Sequence, residues 1–354
     1  MQRADRELAF LLQYENIAWY EAGAVRILDR RVYPGTISFV TCHTHEEVAR
    51  AIADMVTQSA GPYTAAAMGM ALAAYECRNL QEALQKEHLT RAAYTIAHAR
   101  PTTTARMKLI TEGCLRAAYA AMEAGQDVPA AIVAHTIASN NARYEKIERI
   151  AEYLVDMIPN GGSVLTQCFG ETIVGQMLKI ARRRNNVLRV FCAETRPYFQ
   201  GARLTASVAQ DMGFETTVVT DNMPAYLMQQ EKIDVFTSAA DVICEDGHVV
   251  NKVGTFQIAI VAKYMGVPYF VTGAPDRGHP DVNSVHIEMR DPEFVLQAMG
   301  VRTAMEGVKG YYPSFDITPP HLVSGVVTEC GIYSPYDLHR FYEQANIGEF
   351  DITV

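Results

Sequence analysis

Three side chains that can move protons lie between residues 168 and 252, each near a short apolar run or a predicted helix. Cys168 follows the run at 164–166, Asp241 follows the run at 235–237, and Lys252 precedes a predicted helix. A cysteine beside a helix N-terminus has a lowered thiol pKa, so it can act as a base or nucleophile near neutral pH. These three residues are therefore the first candidates for a reaction site.

Each candidate also has an ordinary structural interpretation. In the structural interpretation, Cys168 is a small apolar side chain buried in the core, with no role in a reaction. Asp241 stands among apolar neighbours, where burial would raise the pKa of a carboxyl and suit it to general acid catalysis; an aspartate that caps a turn fits the same position. Lys252 follows Asn251 before a helix start, and it either helps to bind an anion there or is a solvated lysine.

The segments that position these residues alternate between short apolar runs and stretches of helix length. The runs cover residues 164–166, 187–192, 216–220, 235–237, 242–243 and 269–271. This alternation predicts a mainly parallel sheet with helices on both faces. Because ligands bind outside the carboxyl ends of such strands, the polar residues behind each run are expected to share one rim.

The amino-terminal part has a different pattern. Residues 17–28 predict a β-hairpin, and Thr44 followed by Glu47 has the form of a capping box. Alanine-rich helical segments follow at 64–77, 89–99 and 102–124. The sequence thus predicts an α/β protein with a small, mostly helical N-terminal domain over 1–125. A long connecting helix then leads into a Rossmann-like domain over 126–354.

Composition narrows the functional classes. The net charge of -9 offers no basic field to nucleic acid or to a membrane surface, and no stretch reaches the roughly 18 to 20 apolar residues of a membrane span. Seven scattered cysteines without a CxxC pair, and a first segment unlike a secretory signal, favour a cytoplasmic protein. No glycine-rich nucleotide motif is present, and His43 with His45 indicates a solvated turn, so neither a cofactor nor a metal is expected.

Several motifs stand in a characteristic order along nearly the whole chain. They are Leu28-Asp29-Arg30-Arg31, Arg100-Pro101-Thr102, Leu165-Thr166-Gln167-Cys168, the stretch ETRPYFQGARLT from Glu194 to Thr205, Thr220-Asp221-Asn222-Met223, Ala240-Asp241, Asn251-Lys252-Val253-Gly254-Thr255 and Thr328-Glu329-Cys330-Gly331. In this order they resemble the methylthioribose-1-phosphate isomerase family. Its relatives are the ribose-1,5-bisphosphate isomerases and the regulatory subunits of the eukaryotic initiation-factor guanine-nucleotide exchange factor.

The resemblance implies a homodimeric enzyme that acts on a small-molecule sugar phosphate. It implies that Cys168 and Asp241 are the catalytic pair, which favours an enzyme over the regulatory subunits. The residues implied to contact the sugar phosphate are Gln58, Ser59, Ala60, Arg100, Gln200, Asn251 and Lys252. The expected activity converts 5-methylthioribose 1-phosphate or 5-deoxyribose 1-phosphate to the corresponding ribulose 1-phosphate, as in methionine salvage.

One departure from the family pattern concerns charge. Where the isomerases carry Arg-Gly-Ala-Pro or Arg-Gly-Ala-Gly, this chain has Gln58-Ser59-Ala60-Gly61, so a phosphate-binding arginine is predicted to be missing. The loss of this arginine argues against ribose 1,5-bisphosphate as the substrate, because its second phosphate requires further cations near C5. A ribose-1,5-bisphosphate isomerase and a non-catalytic sugar-phosphate or nucleotide sensor are the alternatives.

Overall fold

The computed structural model describes residues 3–100 and 104–345. They form two compact units, the first ending at Glu145 and the second beginning at Lys146. This boundary lies inside the long helix Val128–Asp156, whereas the sequence predicted a boundary at 125/126, ahead of that helix. Within the described residues, no helix is both long and apolar enough to cross a membrane. Residues 101–103, part of one motif above, lie outside the described ranges.

The first unit contains a three-stranded antiparallel sheet in the order β1-β2-β3. Its strands are β1 (Ala18–Glu21), β2 (Ala24–Leu28) and β3 (Phe39–Cys42). The register pairs Ala18 with Ile27, so the predicted hairpin is confirmed. The third strand was not predicted.

Among the described residues, six helices accompany this sheet, and the last of them continues into the second unit. They are α1 (Tyr14–Ile17), α2 (His45–Ala53), α3 (Gly61–Glu76), α4 (Glu82–Ala97), α5 (Thr104–Glu123) and α6 (Val128–Asp156). Thr44 accepts the N–H of Glu47 at 3.2 Å, which confirms the predicted cap of α2. Helix α3 is buried along most of its length, because its small apolar side chains let neighbours pack on every side.

His45 is only 2% exposed, so the predicted solvated turn is wrong for His45 and correct only for the exposed His43.

The second unit is built on a seven-stranded sheet in the order β15-β14-β10-β7-β4-β5-β6. Its strands are β4 (Ser163–Thr166), β5 (Arg189–Ala193), β6 (Glu215–Val219), β7 (Val235–Ala239), β10 (Tyr269–Thr272), β14 (Gly325–Thr328) and β15 (Gly331–Tyr333). All neighbours are parallel except β14 and β15, so the predicted mainly parallel sheet is confirmed. Its helices are α7 (Glu171–Arg183), α8 (Ala206–Asp211), α9 (Pro224–Gln230), α10 (Thr255–Met265) and α11 (His339–Gln344).

One predicted strand belongs to a different sheet. The run at 242–243 is β8 (Val242–Ile243), which pairs antiparallel with β9 (Val249–Lys252); β9 in turn pairs with β13 (Phe315–Thr318). Two apolar residues do not reveal which sheet a strand joins, and this explains the error. A two-residue pair, β11 (Gln297–Ala298) and β12 (Val301–Arg302), completes the strands. Short 3-10 helices span Phe10–Leu12, Val282–Ser284, Pro292–Phe294 and Pro320–Leu322, and a π-helical turn spans Gly201–Thr205.

The cysteines carry no disulfide. All seven have free thiols, and five of them are buried. This agrees with the reduced thiols that the sequence predicted.

Candidate active site

Cys168 lies two residues beyond β4, at the carboxyl edge of the parallel sheet. Its φ of 63° is uncommon for a residue with a side chain. Two threonines hold its backbone: the Cys168 N–H donates to Thr195 Oγ1 at 3.0 Å, and Thr205 Oγ1 donates to the Cys168 carbonyl at 2.5 Å. Because both threonines follow β5, the loop of the neighbouring strand positions the thiol.

That loop is shaped by its own charged residues and by the next strand. Asp221, just beyond β6, accepts the backbone N–H groups of Thr195 at 2.8 Å and Arg196 at 2.7 Å. The guanidinium of Arg203 donates to the Tyr198 carbonyl at 2.6 and 3.0 Å. These contacts give Arg203 and Asp221 a role in maintaining the loop.

Gln200 is a buried polar residue of the same loop and is 7% exposed. Within residues 3–100 and 104–345, its side-chain oxygen has no hydrogen-bond partner. It precedes the π-helical turn at Gly201–Thr205, a local widening that is frequent at functional sites. Gly201 is required there, because a Cβ would lie 1.7 Å from the Ala193 carbonyl oxygen. Gln200 therefore presents an acceptor that a ligand can use.

Asn251 and Lys252 end strand β9, and each is 5% exposed, so the solvated interpretation of Lys252 is excluded. Lys252 Nζ donates to the Ser314 carbonyl at 2.9 Å and lies 4.7 Å from the centre of the Phe315 ring. Burial lowers the pKa of Lys252, and coupling to the Cys168 sulfur opposes that shift. The lysine is thus a buried cation within electrostatic reach of the candidate thiol.

The N-terminus of α10, expected to bind an anion beside Lys252, is already occupied by Asp316. This carboxylate accepts the N–H of Gly254 at 2.6 Å and that of Phe256 at 3.2 Å. Burial raises the pKa of Asp316 to about 6, although these hydrogen bonds lower it. An anionic ligand near this site would therefore depend on the charge of Lys252 more than on the helix terminus.

The expected lowering of the Cys168 pKa is not observed. Burial raises the pKa of this thiol to about 11, and the negative charge of Asp241 adds to the rise. The positive charges of Lys252 and Arg290, together with the Phe169 N–H, act in the opposite direction. At neutral pH the sulfur is a thiol, and the nearby cations limit the cost of its ionisation.

Asp241 is exposed, so the apolar burial expected from its sequence neighbours is not present. Its backbone N–H donates to the Val250 carbonyl at 2.9 Å, which fixes it beside β9. The Asp241 charge raises the pKa of both Cys168 and Lys252. These three residues therefore do meet at one rim, as the strand pattern predicted.

Arg290 was missed by the sequence analysis. It lies in an irregular segment between β10 and β11, where no apolar periodicity marks it. Its backbone N–H donates to the Tyr312 carbonyl at 2.9 Å, its guanidinium contacts Glu288 at 3.2 Å, and its charge lowers the pKa of Cys168. Only the tertiary fold brings this second cation to the thiol.

A cavity of about 10 Å³ lies behind Cys168, lined by side chains of β4, β7 and α7. It has room for about one water molecule, far too little for a ribose phosphate.

In the first unit, the loop at Gln58, Ser59 and Ala60 leads directly into α3. Gln58 is 3% exposed, and Ser59 is exposed with a φ of 57°. The wholly buried Arg30 donates from Nη1 to the Gln58 carbonyl at 2.5 Å. An arginine thus lies beneath the loop in which the sequence predicted one to be missing. The motif Leu28-Asp29-Arg30-Arg31 contained this signal.

Arg100 is partly buried and follows the end of α4. Its carbonyl accepts the hydroxyl of Thr104, the first residue of α5, at 3.0 Å. Arg106 and Tyr63 approach to 3.5 Å, so α5 and α3 begin at the same end of this unit. Arg100 therefore lies at the end of the unit where the loop before α3 also stands.

Comparison with known proteins identifies the chain. Residues 58–335 match the profile of the Initiation factor 2 subunit family. Methylthioribose-1-phosphate isomerase from Roseiflexus castenholzii is 34% identical over 339 residues, covering 90% of this chain and 95% of that protein. The enzyme of the same name from Xylella fastidiosa strain 9a5c is 33% identical, with 88% and 90% covered. The chain belongs to the methylthioribose-1-phosphate isomerase family.

Two solved structures resemble this isomerase-family chain. The 5-methylthioribose 1-phosphate isomerase from Pyrococcus horikoshii OT3 is 26% identical, with a TM-score of 0.82 over 96% of this chain and 98% of that one. The delta subunit of translation initiation factor eIF-2B from A. fulgidus is 28% identical, with a TM-score of 0.81 over 94% and 99%. The predicted family, fold class and class of enzyme are confirmed, and the roles of individual residues in this isomerase-family chain stay predictions.

Proposed function

We propose that this protein is an aldose-ketose isomerase of methionine salvage, converting a 5-substituted ribose 1-phosphate to the corresponding ribulose 1-phosphate. The observation that carries the proposal is the mutual electrostatic influence of Cys168, Asp241 and Lys252 at one rim of the sheet. A thiol, a carboxyl and an ammonium group supply a base, an acid and a cation. The reaction only moves hydrogen from C2 to C1 of the sugar, so it requires no external oxidant or reductant.

The first step is the opening of the sugar ring. Phosphate on the anomeric oxygen prevents simple opening, so the bond between C1 and the ring oxygen must break while the phosphate stays attached. Asp241 is proposed to donate its proton to the ring oxygen. Because Asp241 is exposed, bound sugar must cover the carboxyl, so that the proton is transferred out of contact with bulk water. The neighbouring phosphate stabilises the positive charge that develops at C1.

Cys168 is proposed to manage the proton at C2. In one route its thiolate removes the C2 proton, an enol phosphate forms, and C1 is then protonated. In the other, hydride moves directly from C2 to C1 while the thiolate takes the proton of the C2 hydroxyl. Burial raises the pKa of Cys168 to about 11, and the charges of Lys252 and Arg290 act against that rise, so both routes depend on these cations to favour the thiolate.

We further propose that Arg30 supplies the positive charge that Gln58 lacks. Its guanidinium lies under the loop, and a Cβ on Gly61 would come within 2.9 Å of Arg30 Nη1, so the charge reaches the first turn of α3. The N-terminus of this 16-residue helix also favours an anion. The buried Thr57 hydroxyl, which has no hydrogen-bond partner among the described residues, adds a further donor. The first unit thus retains a cationic loop before α3.

The favoured substrates are 5-methylthioribose 1-phosphate and 5-deoxyribose 1-phosphate, in which the C5 substituent is uncharged. Arg30 belongs to a motif that resembles the isomerase family, so it adds no cation beyond theirs, and Gln58, Ser59 and Ala60 do not supply the second cationic group that ribose 1,5-bisphosphate requires. Gln200, Asn251 and Lys252 are proposed to contact the sugar phosphate, since all three are buried polar groups of the second unit.

The test is incubation of the purified protein with each of the three sugar phosphates, with ketose product measured directly. We expect turnover of the methylthio and deoxy compounds, and a loss of about 10²–10⁴-fold in Cys168→Ala and Asp241→Asn without a loss of folding. Turnover of the bisphosphate alone would reverse the assignment. The homodimer is part of the proposal, and light scattering of the purified chain tests it.

A second candidate function is a catalytically silent sensor of sugar phosphates or nucleotides. The similarity to the eIF-2B delta subunit from A. fulgidus favours it, because that structure matches almost as well as the isomerase does. Binding of a sugar phosphate with no turnover of any of the three would support the sensor.

A further inference from the structure

Two histidines and a glutamate from three helices converge in the first unit. His45 begins α2, Glu76 ends α3, and His88 lies within α4. His45 Nδ1 is 2.7 Å and His88 Nε2 is 2.9 Å from the same carboxylate oxygen, Glu76 Oε2. One donor atom from each residue lies within 4.8 Å of the other two, so a single ion can contact all three.

The surrounding contacts hold this cluster in a fixed arrangement. The backbone N–H of His45 donates to Glu76 Oε1 at 2.7 Å, which leaves Oε2 directed toward the histidines. The Glu46 carboxylate lies 3.3 Å from His45 Nε2, on the other side of the ring. A carboxylate behind an imidazole is the arrangement that orients metal-bound histidine. The His45 and His88 rings meet edge to face, 5.2 Å apart.

The charge of the cluster suits a cation. Glu76 supplies a carboxylate to the two imidazoles, and the carboxylate of Glu46 lies beside His45. The side chains of His88 and Glu76 are 16% and 19% exposed, so an ion can enter from solvent. The opposing charge is that of Arg91, whose Nη2 lies 3.3 Å from His88 Nδ1; its exposed side chain can turn into solvent.

We propose that His45, Glu76 and His88 bind a divalent transition-metal ion, with Zn²⁺ the best match, at a structural site that joins α2, α3 and α4. Two imidazoles and one carboxylate, with a fourth position open to water, form a donor set that zinc uses. An ion held by three helices would stabilise their packing, because it binds only the folded arrangement. The proposal is independent of the isomerase activity.

The experiment is a titration of the chelator-treated full chain with Co²⁺, followed by visible absorption, and with Zn²⁺, followed by calorimetry and thermal unfolding. We expect one ion per chain, the intense visible band of four-coordinate Co²⁺, and a Tm that rises with Zn²⁺ concentration. His88→Ala and Glu76→Gln should each lower the affinity by at least the roughly 10- to 100-fold that loss of an outer-shell partner causes.

Two further variants sharpen the result. His98→Ala removes an exposed histidine at the end of α4 and should bind the ion as the wild type does. Arg91→Ala should bind it more tightly, because a like charge is removed. Absence of the Co²⁺ band in the wild type, or equal affinity in wild type and folded His88→Ala, would overturn the proposal. If circular dichroism shows that His88→Ala does not fold, His88→Gln makes the same comparison.

Discussion

The backbone N–H of Cys168 is bonded to the hydroxyl of Thr195 at 3.0 Å, so the candidate thiol is attached to the loop that follows the neighbouring strand. Thr195 has a φ of 65°, and its own N–H donates to Asp221. The positions of three consecutive strand ends, after β4, β5 and β6, are thereby coupled. A change in the loop is expected to move the sulfur.

Thr195→Val tests this attachment because it keeps the β-branched shape and removes only the hydroxyl. The Cys168 N–H loses its acceptor, and we expect the free energy of unfolding to fall by about 1–3 kcal/mol. Turnover should fall as well. Thr195→Ser, which retains the hydroxyl, is the control and should stay close to wild type in both denaturant unfolding and kinetics. Equal losses in the two variants would contradict the role of the hydroxyl, because only Thr195→Val lacks it.

The ionisation of Cys168 should depend on Lys252. The rate at which iodoacetamide alkylates Cys168, followed by peptide mass spectrometry, should rise with pH toward a midpoint at about 11. The lysine charge favours the thiolate only while the lysine is protonated, and burial lowers the pKa of Lys252 itself, so the variants are compared near neutral pH. There Lys252→Met should be alkylated more slowly than the wild type, and Lys252→Arg should stay nearer to it. Faster alkylation of Lys252→Met would contradict the assignment.

Exchanging Arg30 and Gln58 tests the source of the loop's charge. Arg30→Gln should raise the KM for the sugar phosphate about tenfold, equivalent to about 1.4 kcal/mol of binding, with a smaller change in kcat. Adding Gln58→Arg in that background should recover most of the affinity, because the charge returns to the same loop. If the double variant folds with a wild-type Tm and its KM does not recover, Arg30 has a structural role only.

Asp316 should make stability depend on pH. Its pKa in the folded chain, about 6, lies above the ordinary value of 3.8, so the folded state binds the proton more tightly than the unfolded state does. The contribution of Asp316 is therefore greatest below pH 3.8 and is lost as the pH rises through about 6. Relative to Asp316→Asn, the wild type should lose on the order of 1 kcal/mol between these limits. Thermal unfolding of both proteins across this pH range measures the difference in stability. If the wild type became more stable relative to Asp316→Asn as the pH rises, the predicted direction would be wrong.

Reaction in deuterated water distinguishes the two hydrogen-transfer routes. Removal of the C2 proton by Cys168 gives an enol phosphate that exchanges with solvent, so deuterium should appear at C1 of the ketose. A direct hydride shift carries the original hydrogen and leaves C1 unlabelled. Mass spectrometry or NMR of the product reads the label; deuterium at C1 counts against the direct shift, and complete absence counts against a freely exchanging enol.

Local patterns predicted most of the fold. The strands β4 to β7, the hairpin and the cap at Thr44 were recognisable because each depends on residues close together in the chain. The assignment of β8 to the parallel sheet was wrong, since two apolar residues do not show that its partner is β9. Asn251 and Lys252 are buried only because β13 covers them from far along the chain.

The sequence by itself determined the family and placed Cys168 and Asp241 just beyond two strands of the parallel sheet, because motif order and strand ends are properties of the linear chain. Only the tertiary structure decided the burial, the ionisation and the neighbouring charges of those groups. Burial raises the Cys168 pKa, Asp241 is exposed, and Arg30 lies beneath the Gln58 loop, because distant segments set both solvent access and the nearest charges. For the same reason, the cluster of His45, Glu76 and His88 was not predicted from the sequence, because its members come from three separate helices.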